Sequence, residues 1–277
     1  MSKLIELIKY IFFGAVQGIT ETLPISSSGH LIILGEIFKI KQGNDLSFEI
    51  LLHFGSLIAI IYYYRKSLSE LIKNFFSYLF NKNRSTENSI DYKYVWLLVL
   101  ATIPAGIIGF LFNEYIAKYF TSLLTVGISL IITAIILYLI NKMPKGNKEK
   151  KDITCLDALF VGVIQAFAII PGISRSGSTV SASLARKINI DNALKFSFLL
   201  FIPVSIGAMI LDIIDFIKNP IASSLLIPYF IAFLTSIIFT YISLNIFINV
   251  IKKGKLSYFS LYCLIAGSIA FVSYFII

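Results

Sequence analysis

Arg175 lies inside an otherwise apolar part of the chain, within the segment Pro171–Thr179. A guanidinium binds phosphate oxygens through paired hydrogen bonds, and a helix beginning just after it, which we expect at Thr179, adds free N–H groups that favour anions. The segment therefore predicts a phosphate site formed by Ser174, Arg175, Ser176, Gly177 and Thr179. An ion pair between Arg175 and a buried carboxylate such as Glu21 or Glu49 is the alternative, and both arrangements can hold before substrate binds.

A second polar segment supplies a different chemistry. Ser26, Ser27 and Ser28 follow Pro24, and His30 comes two residues later. The imidazole is close enough in sequence to act as a base toward a serine, or to attack phosphorus itself. We therefore predict Ser27 and His30 as catalytic and Ser26 as phosphate-binding, with the nucleophile open between Ser27, His30 and water. The alternative is that a serine here only caps the following helix.

Two acidic positions predict a cation site beside the serines. Glu21 follows Gln17 by one helical turn, so both can face one cavity. A carboxylate next to a bound diphosphate requires a cation between them, and Mg²⁺ or Ca²⁺ prefers such oxygen ligands. Glu21 is the predicted ligand and catalytic acid group, with Gln17 as a weaker ligand and Glu49 as a third. Alternatively, Glu21 is a neutral carboxyl that caps a helix end, and Glu49 only pairs with His53.

The two polar segments are copies of one another. A shift of 148 positions places Gly14, Gln17, Ser26, Ser28 and Gly29 on Gly162, Gln165, Ser174, Ser176 and Gly177 without a gap. The copies are not identical, because Ile169 stands where the first copy has Glu21. The second copy is thus predicted to specialise in anion binding.

Composition assigns the chain to the membrane proteins. Hydrophobic residues make up 57% of its 277 residues and charged residues only 14%, whereas soluble domains carry about 25% charged residues. The net charge of +9 is spread over short loops, without the basic, aromatic-interleaved surface that nucleic acids need. Cys155 and Cys263 predict neither a disulfide framework nor a metal cluster. We expect an all-α integral membrane protein that does not bind nucleic acid.

The apolar segments predict six full transmembrane helices and two re-entrant helix pairs. Each pair breaks at a polar segment: Leu4–Ile19 continues into Leu31–Phe38, and the other pair occupies Leu156–Leu184. A separate interfacial amphipathic helix is expected at Leu68–Phe80. The predicted full spans are Leu46–Tyr64, Tyr94–Phe112, Leu123–Ile140, Leu194–Ile217, Leu225–Val250 and Leu256–Ile277.

The number of spans predicts how the copies are oriented. Three full spans separate the two broken segments, so the copies enter the membrane from opposite faces, which is an inverted-topology repeat. The chain then forms a single membrane domain, with repeat one at about 1–141, repeat two at about 153–277 and the basic loop 142–152 between them. The loops on one side of the membrane carry 17 lysines and arginines, and those on the other side carry six. Because the side richer in basic residues faces inside, we expect both termini outside.

At these residues the chain resembles undecaprenyl-diphosphate phosphatases of the bacitracin-resistance type. Gln17–Glu21 matches the family's Glu/Gln-x3-Glu element, Ser26–His30 its Ser-Ser-x-Gly-His element, and Pro171–Thr179 its Pro-Gly-x-Ser-Arg-Ser-x-x-Thr element. Many members have Glu at the position of Gln17, and a neutral amide cannot act as a base, so the acidic role shifts to Glu21. The resemblance covers the whole chain, since the length and the duplicated layout also agree.

The resemblance implies hydrolysis of undecaprenyl diphosphate to the monophosphate carrier for cell-wall synthesis, with a divalent cation and with bacitracin resistance as a consequence. It also implies a multi-pass protein of the bacterial plasma (inner) membrane whose active site faces outside, in contact with membrane lipids. An inverted-repeat transporter or flippase for a phosphorylated lipid is the alternative, although such a site needs no nucleophile. Whether the chain forms a homodimer is left open by its sequence.

Overall fold

The computed structural model describes residues 2–38, 46–80, 85–218 and 225–276. Lys39 and Lys41, two of the six basic residues counted outside, and Ile277, the end of the last predicted span, are not among these residues. The described elements are helical, apart from one isolated bridge between Lys148 and Ile188. The helices are α1 (Ser2–Thr22), α2 (Ser27–Phe38), α3 (Leu46–Phe80), α4 (Thr86–Tyr119), α5 (Leu123–Asn141), α6 (Cys155–Phe167), α7 (Arg175–Ala185), α8 (Ile190–Lys218), α9 (Leu226–Lys252) and α10 (Leu256–Ser273).

Among the described residues, five helices are long and apolar enough to cross a membrane, namely α4, α5, α9, α10 and the Ile190–Ile210 part of α8. The chain is therefore a multi-pass membrane protein, as predicted. The sixth predicted span, Leu46–Tyr64, is not one of these five helices. It is nevertheless helical throughout.

The expectation of a separate helix at Leu68–Phe80 was wrong. α3 runs without interruption through 35 residues, a length of about 52 Å that exceeds the roughly 30 Å of a bilayer's hydrocarbon core. Neither glycine nor proline occurs between Ser56 and Phe80, so nothing in the sequence breaks the helix after Arg65–Lys66. The basic stretch is thus an extension of the helix beyond its apolar part.

The two halves of the chain pack into one another. α1 lies along α9, and its counterpart α6 lies along α4, while α5 pairs with α10 and α3 contacts α8. The α1–α9 contact is close, since a Cβ added at Gly14 would overlap the backbone carbonyl of Ala232. Gly162 of α6 has the same relation to Ala101 of α4. Both broken helices thus rest on a full-length helix from the other half of the chain.

Buried hydroxyls hold these helices together. Ser243 of α9 donates to the Gly18 carbonyl at 2.8 Å and lies 2.5 Å from the hydroxyl of Thr22. Ser56 of α3 lies 3.0 Å from Thr240 of α9. Side-chain hydrogen bonds between helices satisfy polar groups that water does not reach in a membrane protein. They lock α1 and α3 to α9 and so fix the helix that carries Gln17 and Glu21.

Candidate active site

Two polar turns, one in each half of the chain, form the site. α1 ends at Thr22, two residues before Pro24, and α6 ends at Phe167, four residues before Pro171. Proline has no backbone N–H to donate, so neither helix can continue through these turns without losing a hydrogen bond. Ser26 then caps α2 by accepting the Gly29 N–H at 3.3 Å, and Ser174 caps α7 by accepting the Gly177 N–H at 3.1 Å. A serine cap, the alternative considered for the first turn, is thus present there at Ser26, and the second turn has the same cap at Ser174. The helix after the second turn begins at Arg175, not at Thr179 as predicted, because Ser174 supplies the cap.

The turns are held against each other and against the bundle. Ser176 donates its hydroxyl hydrogen to the Leu23 carbonyl at 3.1 Å, which ties the second turn to the first. Thr133 of α5 donates to the Gly172 carbonyl at 3.2 Å and accepts the Ser174 N–H at 3.1 Å. The starts of α2 and α7 are consequently brought side by side.

Glu21 is the centre of this arrangement. Its buried carboxylate accepts hydrogen bonds from Gln17 Nε2 at 2.8 Å and from Ser27 Oγ at 2.6 Å. His53 Nδ1 lies 3.3 Å away, and Arg175 forms an ion pair with the same carboxylate. These partners are side chains of α1, α2, α3 and α7 rather than N–H groups of a helix end, so Glu21 is not a helix cap. The ion pair between Arg175 and Glu21, the alternative to a phosphate site in the sequence analysis, is present.

A cavity of about 330 Å³ opens beside the carboxylate. It joins the serine turn of the first half to the arginine turn of the second, and it also reaches α3, α4, α6 and α8. Its polar lining residues are Thr20, Glu21, Ser26, Ser27, Ser28, Glu49, His53, Asn113, Gln165, Ser174, Arg175 and Ser205. Glu49 and His53 thus share this cavity, and His53 is paired with Glu21.

Helix α8 supports the arginine. The guanidinium carbon of Arg175 lies 3.9 Å from the ring centroid of Phe201, and its Nη1 donates to Ser205 Oγ at 3.3 Å. A flat cation over an aromatic face is attracted by the ring quadrupole and held in orientation. Sequence analysis missed both residues. The 148-residue shift could have pointed to Phe201, because it aligns Phe201 of α8 with His53 of α3. His53 lines the cavity.

Several predicted residues lie near the cavity without lining it. Gln17 is fully buried behind Glu21. The Gly177 N–H is taken by Ser174, and Thr179 donates its hydroxyl hydrogen to the Arg175 carbonyl at 2.9 Å. Together with Ser176, which bonds Leu23, these groups stabilise α7 and the joint between the turns. Of the predicted phosphate-binding set, Ser26, Ser174 and Arg175 face the cavity.

His30 also lies outside the lining residues. Its Nδ1 is 2.7 Å from the Ser26 carbonyl and its Nε2 is 2.7 Å from the hydroxyl of Tyr262 on α10. The two rings stack at 5.5 Å between centroids. Ser26 has a φ of 69°, a conformation that costs energy for a residue with a side chain. The ring therefore holds the strained serine turn in place.

The cavity contains oxygen donors that could hold a divalent cation. Glu21 and Glu49 present carboxylates to the same space, and Asn113 adds an amide. Within the described part of the chain, no cluster of three or more His, Cys, Asp or Glu side chains is arranged to hold a metal. Two carboxylates and one amide would be enough for Mg²⁺, because this ion commonly binds one or two carboxylates and completes its shell with water and substrate phosphates.

Comparison with known proteins places the chain in a family. The sequence profile of the bacitracin resistance protein BacA family matches residues 10–269. A Bacillus thuringiensis protein named undecaprenyl-diphosphatase 2 is 44% identical over 272 residues, which cover 98% of this chain and 99% of that protein. An undecaprenyl-diphosphatase of Oceanobacillus iheyensis is 43% identical over 268 residues, which cover 96% of each chain. The matched length and the identity together show that the chain belongs to the bacitracin resistance protein BacA family.

Proposed function

We infer that this chain is a membrane phosphatase that hydrolyses undecaprenyl diphosphate to undecaprenyl phosphate and inorganic phosphate. The reaction recycles the lipid carrier of cell-wall synthesis and confers resistance to bacitracin. The observation that carries the inference is that Ser27 and Arg175 contact the same carboxylate, Glu21, at the edge of one cavity. Ser27 as nucleophile, Glu21 as base and the Arg175 guanidinium as phosphate-binding group are thereby brought together. The curated relatives of this chain are named undecaprenyl-diphosphatases.

Arg175 binds the diphosphate of the substrate. Before substrate arrives, the guanidinium is neutralised by Glu21, and it keeps its position through Phe201 and Ser205 of α8. A phosphate oxygen can replace a carboxylate oxygen as its partner, because both accept paired hydrogen bonds from the guanidinium. The exchange moves Arg175 onto the substrate and frees one side of Glu21.

Ser27 is the nucleophile of the proposed mechanism. Its hydroxyl hydrogen already points at Glu21 over 2.6 Å, so the carboxylate can take the proton as the oxygen attacks the terminal phosphorus. The bond from that phosphorus to the bridging oxygen breaks, and undecaprenyl phosphate leaves. Water then hydrolyses the phosphoserine, which releases inorganic phosphate and restores Ser27.

His30 has a positioning role in this mechanism. Its two ring nitrogens are engaged by the Ser26 carbonyl and by Tyr262, so the ring supports the turn that presents Ser27. This assignment replaces the predicted role of His30 as base or nucleophile.

A divalent cation, Mg²⁺ or Ca²⁺, would be held by Glu21 and Glu49, while Gln17 supports Glu21 from behind. When bound, it would neutralise phosphate charge that the two carboxylates otherwise repel.

We further propose that the two halves are inverted repeats and that each broken helix pair is re-entrant. The exchanged packing of α1 on α9 and α6 on α4 supports this arrangement. The excess of basic residues in the stretches 65–93 and 142–151 supports an inner-membrane orientation with both termini and the active site outside. Labelling of single cysteines introduced at Lys145 and at Lys118 by a membrane-impermeant maleimide in intact cells tests it, since only the second is expected to react.

Phosphate release by the purified chain tests the function. With undecaprenyl diphosphate in detergent, wild type is expected to release phosphate in a manner that depends on added Mg²⁺ or Ca²⁺. Glu21→Gln removes the proton acceptor and the anionic ligand together, and we expect its turnover to fall by roughly 10²- to 10³-fold. Wild type that binds the lipid without releasing phosphate would refute hydrolysis, and an equally active Glu21→Gln variant would refute the role of the carboxylate.

A further inference from the structure

Gln165 is a buried polar side chain without a partner in the described chain. Only 1% of its surface is exposed, and neither Oε1 nor Nε2 has a hydrogen-bond partner among the described residues. Burying an unpaired amide costs on the order of 1–3 kcal/mol, so such a group is expected to have a partner in the working protein. Gln165 also lines the cavity that contains Arg175 and Ser27.

The first copy shows what this amide is built to do. Gln17, the counterpart of Gln165, donates from Nε2 to the carboxylate of Glu21 at 2.8 Å. In the second copy Ile169 occupies the position of Glu21, and its side chain also lines the cavity. The amide donor has thus been retained, while the anion that it would bind within the chain has been removed.

We propose that Gln165 is a substrate-binding residue whose amide N–H groups donate to a phosphate oxygen of the diphosphate. The substrate then supplies, in the second copy, the anionic oxygen that Glu21 supplies in the first. Because Gln165 and Arg175 line the same cavity, one phosphate group can accept hydrogen bonds from both. This assignment rests on the proposed phosphatase function. It adds Gln165, a neutral hydrogen-bond donor, to the cationic donor Arg175.

The test compares wild type with Gln165→Leu, which keeps the volume and removes the amide. Binding of inorganic pyrophosphate to the full chain in detergent is measured by calorimetry, and the thermal midpoint of each protein is recorded without ligand. We expect pyrophosphate to bind at least about tenfold more weakly to Gln165→Leu, the size expected when one hydrogen bond to a charged group is lost. We also expect an unchanged or higher thermal midpoint, since an unpaired buried amide has been removed.

Ser197→Ala is the matched control. Ser197 is buried in α8, its hydroxyl also has no partner among the described residues, and it does not line the cavity. Its removal is expected to leave pyrophosphate binding unchanged.

Equal pyrophosphate binding by wild type and Gln165→Leu would overturn the assignment, as would wild type that fails to bind pyrophosphate. A lower midpoint with unchanged binding would show that the amide has an internal partner, and would also overturn it. If Gln165→Leu does not fold, Gln165→Met, with a flexible side chain of similar length, replaces it in the same comparison. Absence of phosphate release by wild type would instead count against the proposed function, so the two failures are distinguishable.

Discussion

The first residue of α2 and the first residue of α7 are the same position in the two copies of the chain. One is Ser27 and the other is Arg175, and both contact Glu21. Their local structures are also alike, because each helix is capped by the preceding serine, Ser26 or Ser174. One structural frame thus presents the proposed nucleophile in one copy and the proposed anion-binding group in the other.

The neighbourhoods of the two positions differ in a consistent way. The first copy surrounds its helix start with Glu21 and His53, whereas the second copy has Ile169 and Phe201 at the equivalent places. Polar groups able to exchange protons lie on one side, and an aromatic face that orients a cation lies on the other. The comparison teaches that the two copies share a local geometry and differ in side chains at a few positions, and the proposed mechanism divides the chemistry between the copies at those positions.

Ser27→Ala is the strongest test of this division. Loss of the nucleophile is expected to reduce turnover by on the order of 10³-fold or more, measured as phosphate release from undecaprenyl diphosphate. Ser28→Ala is the control, because Ser28 also lines the cavity but contacts Ser26 rather than Glu21. Equal losses in the two variants would contradict the assignment of Ser27.

Arg175→Lys tests the other copy. A lysine keeps the charge but cannot form paired hydrogen bonds or lie flat on Phe201, so we expect about a 10²-fold loss of kcat/KM. Arg186→Lys is the matched control, because Arg186 pairs with Asp157 and not with the cavity residues. Near-normal turnover by Arg175→Lys would show that a point charge suffices and that the two copies differ less than proposed.

The shared frame is tested by paired glycine substitutions. Gly14→Ala and Gly162→Ala place a methyl group against the Ala232 and Ala101 carbonyls, and both are expected to lower the thermal midpoint by several degrees. Gly106→Ala adds a methyl group where no atom lies within 4 Å, and should instead stabilise its helix by about 0.5–1 kcal/mol. A midpoint that falls for only one of the first two variants would show that the two copies are not packed equivalently.

The smallest expected effect concerns the polar end of α6. Asp157 is fully buried there and accepts hydrogen bonds from Lys148 Nζ at 2.9 Å and Arg186 Nε at 2.6 Å, whereas the equivalent position in the first copy is the exposed Lys9. Burial acts to raise the pKa of Asp157, but hydrogen bonds from Lys148, Thr154 and Arg186 outweigh it and lower this pKa to about 2.

Because this pKa is depressed on folding, the stabilisation by Asp157 is complete above its ordinary value of 3.8 and is lost as the pH falls through about 2. The thermal midpoint of wild type should therefore fall across this range more steeply than that of Asp157→Asn. Parallel curves for the two proteins would refute the contribution.

Much of the helical architecture could be predicted because apolar length and proline position are local properties. The breaks at Pro24 and Pro171, the span at Leu123–Ile140 and the pair within Leu156–Leu184 all have counterparts in the structure. The length of α3 could not be predicted in this way, since charged residues end an apolar segment without ending a helix. The start of α7 was missed because serine is common both in turns and at caps, and only backbone geometry distinguishes the two.

The site divides along the same line. The sequence by itself determined that one arginine, one serine cluster and one carboxylate lie in apolar surroundings, where charge is costly and its retention indicates function. Only the tertiary structure decided that these groups meet at Glu21, that His53 and Phe201 flank them, and that His30 turns toward Tyr262 instead of Ser27. Residues 154 positions apart, such as Glu21 and Arg175, become neighbours through helix packing, which is a property of the whole bundle rather than of any segment.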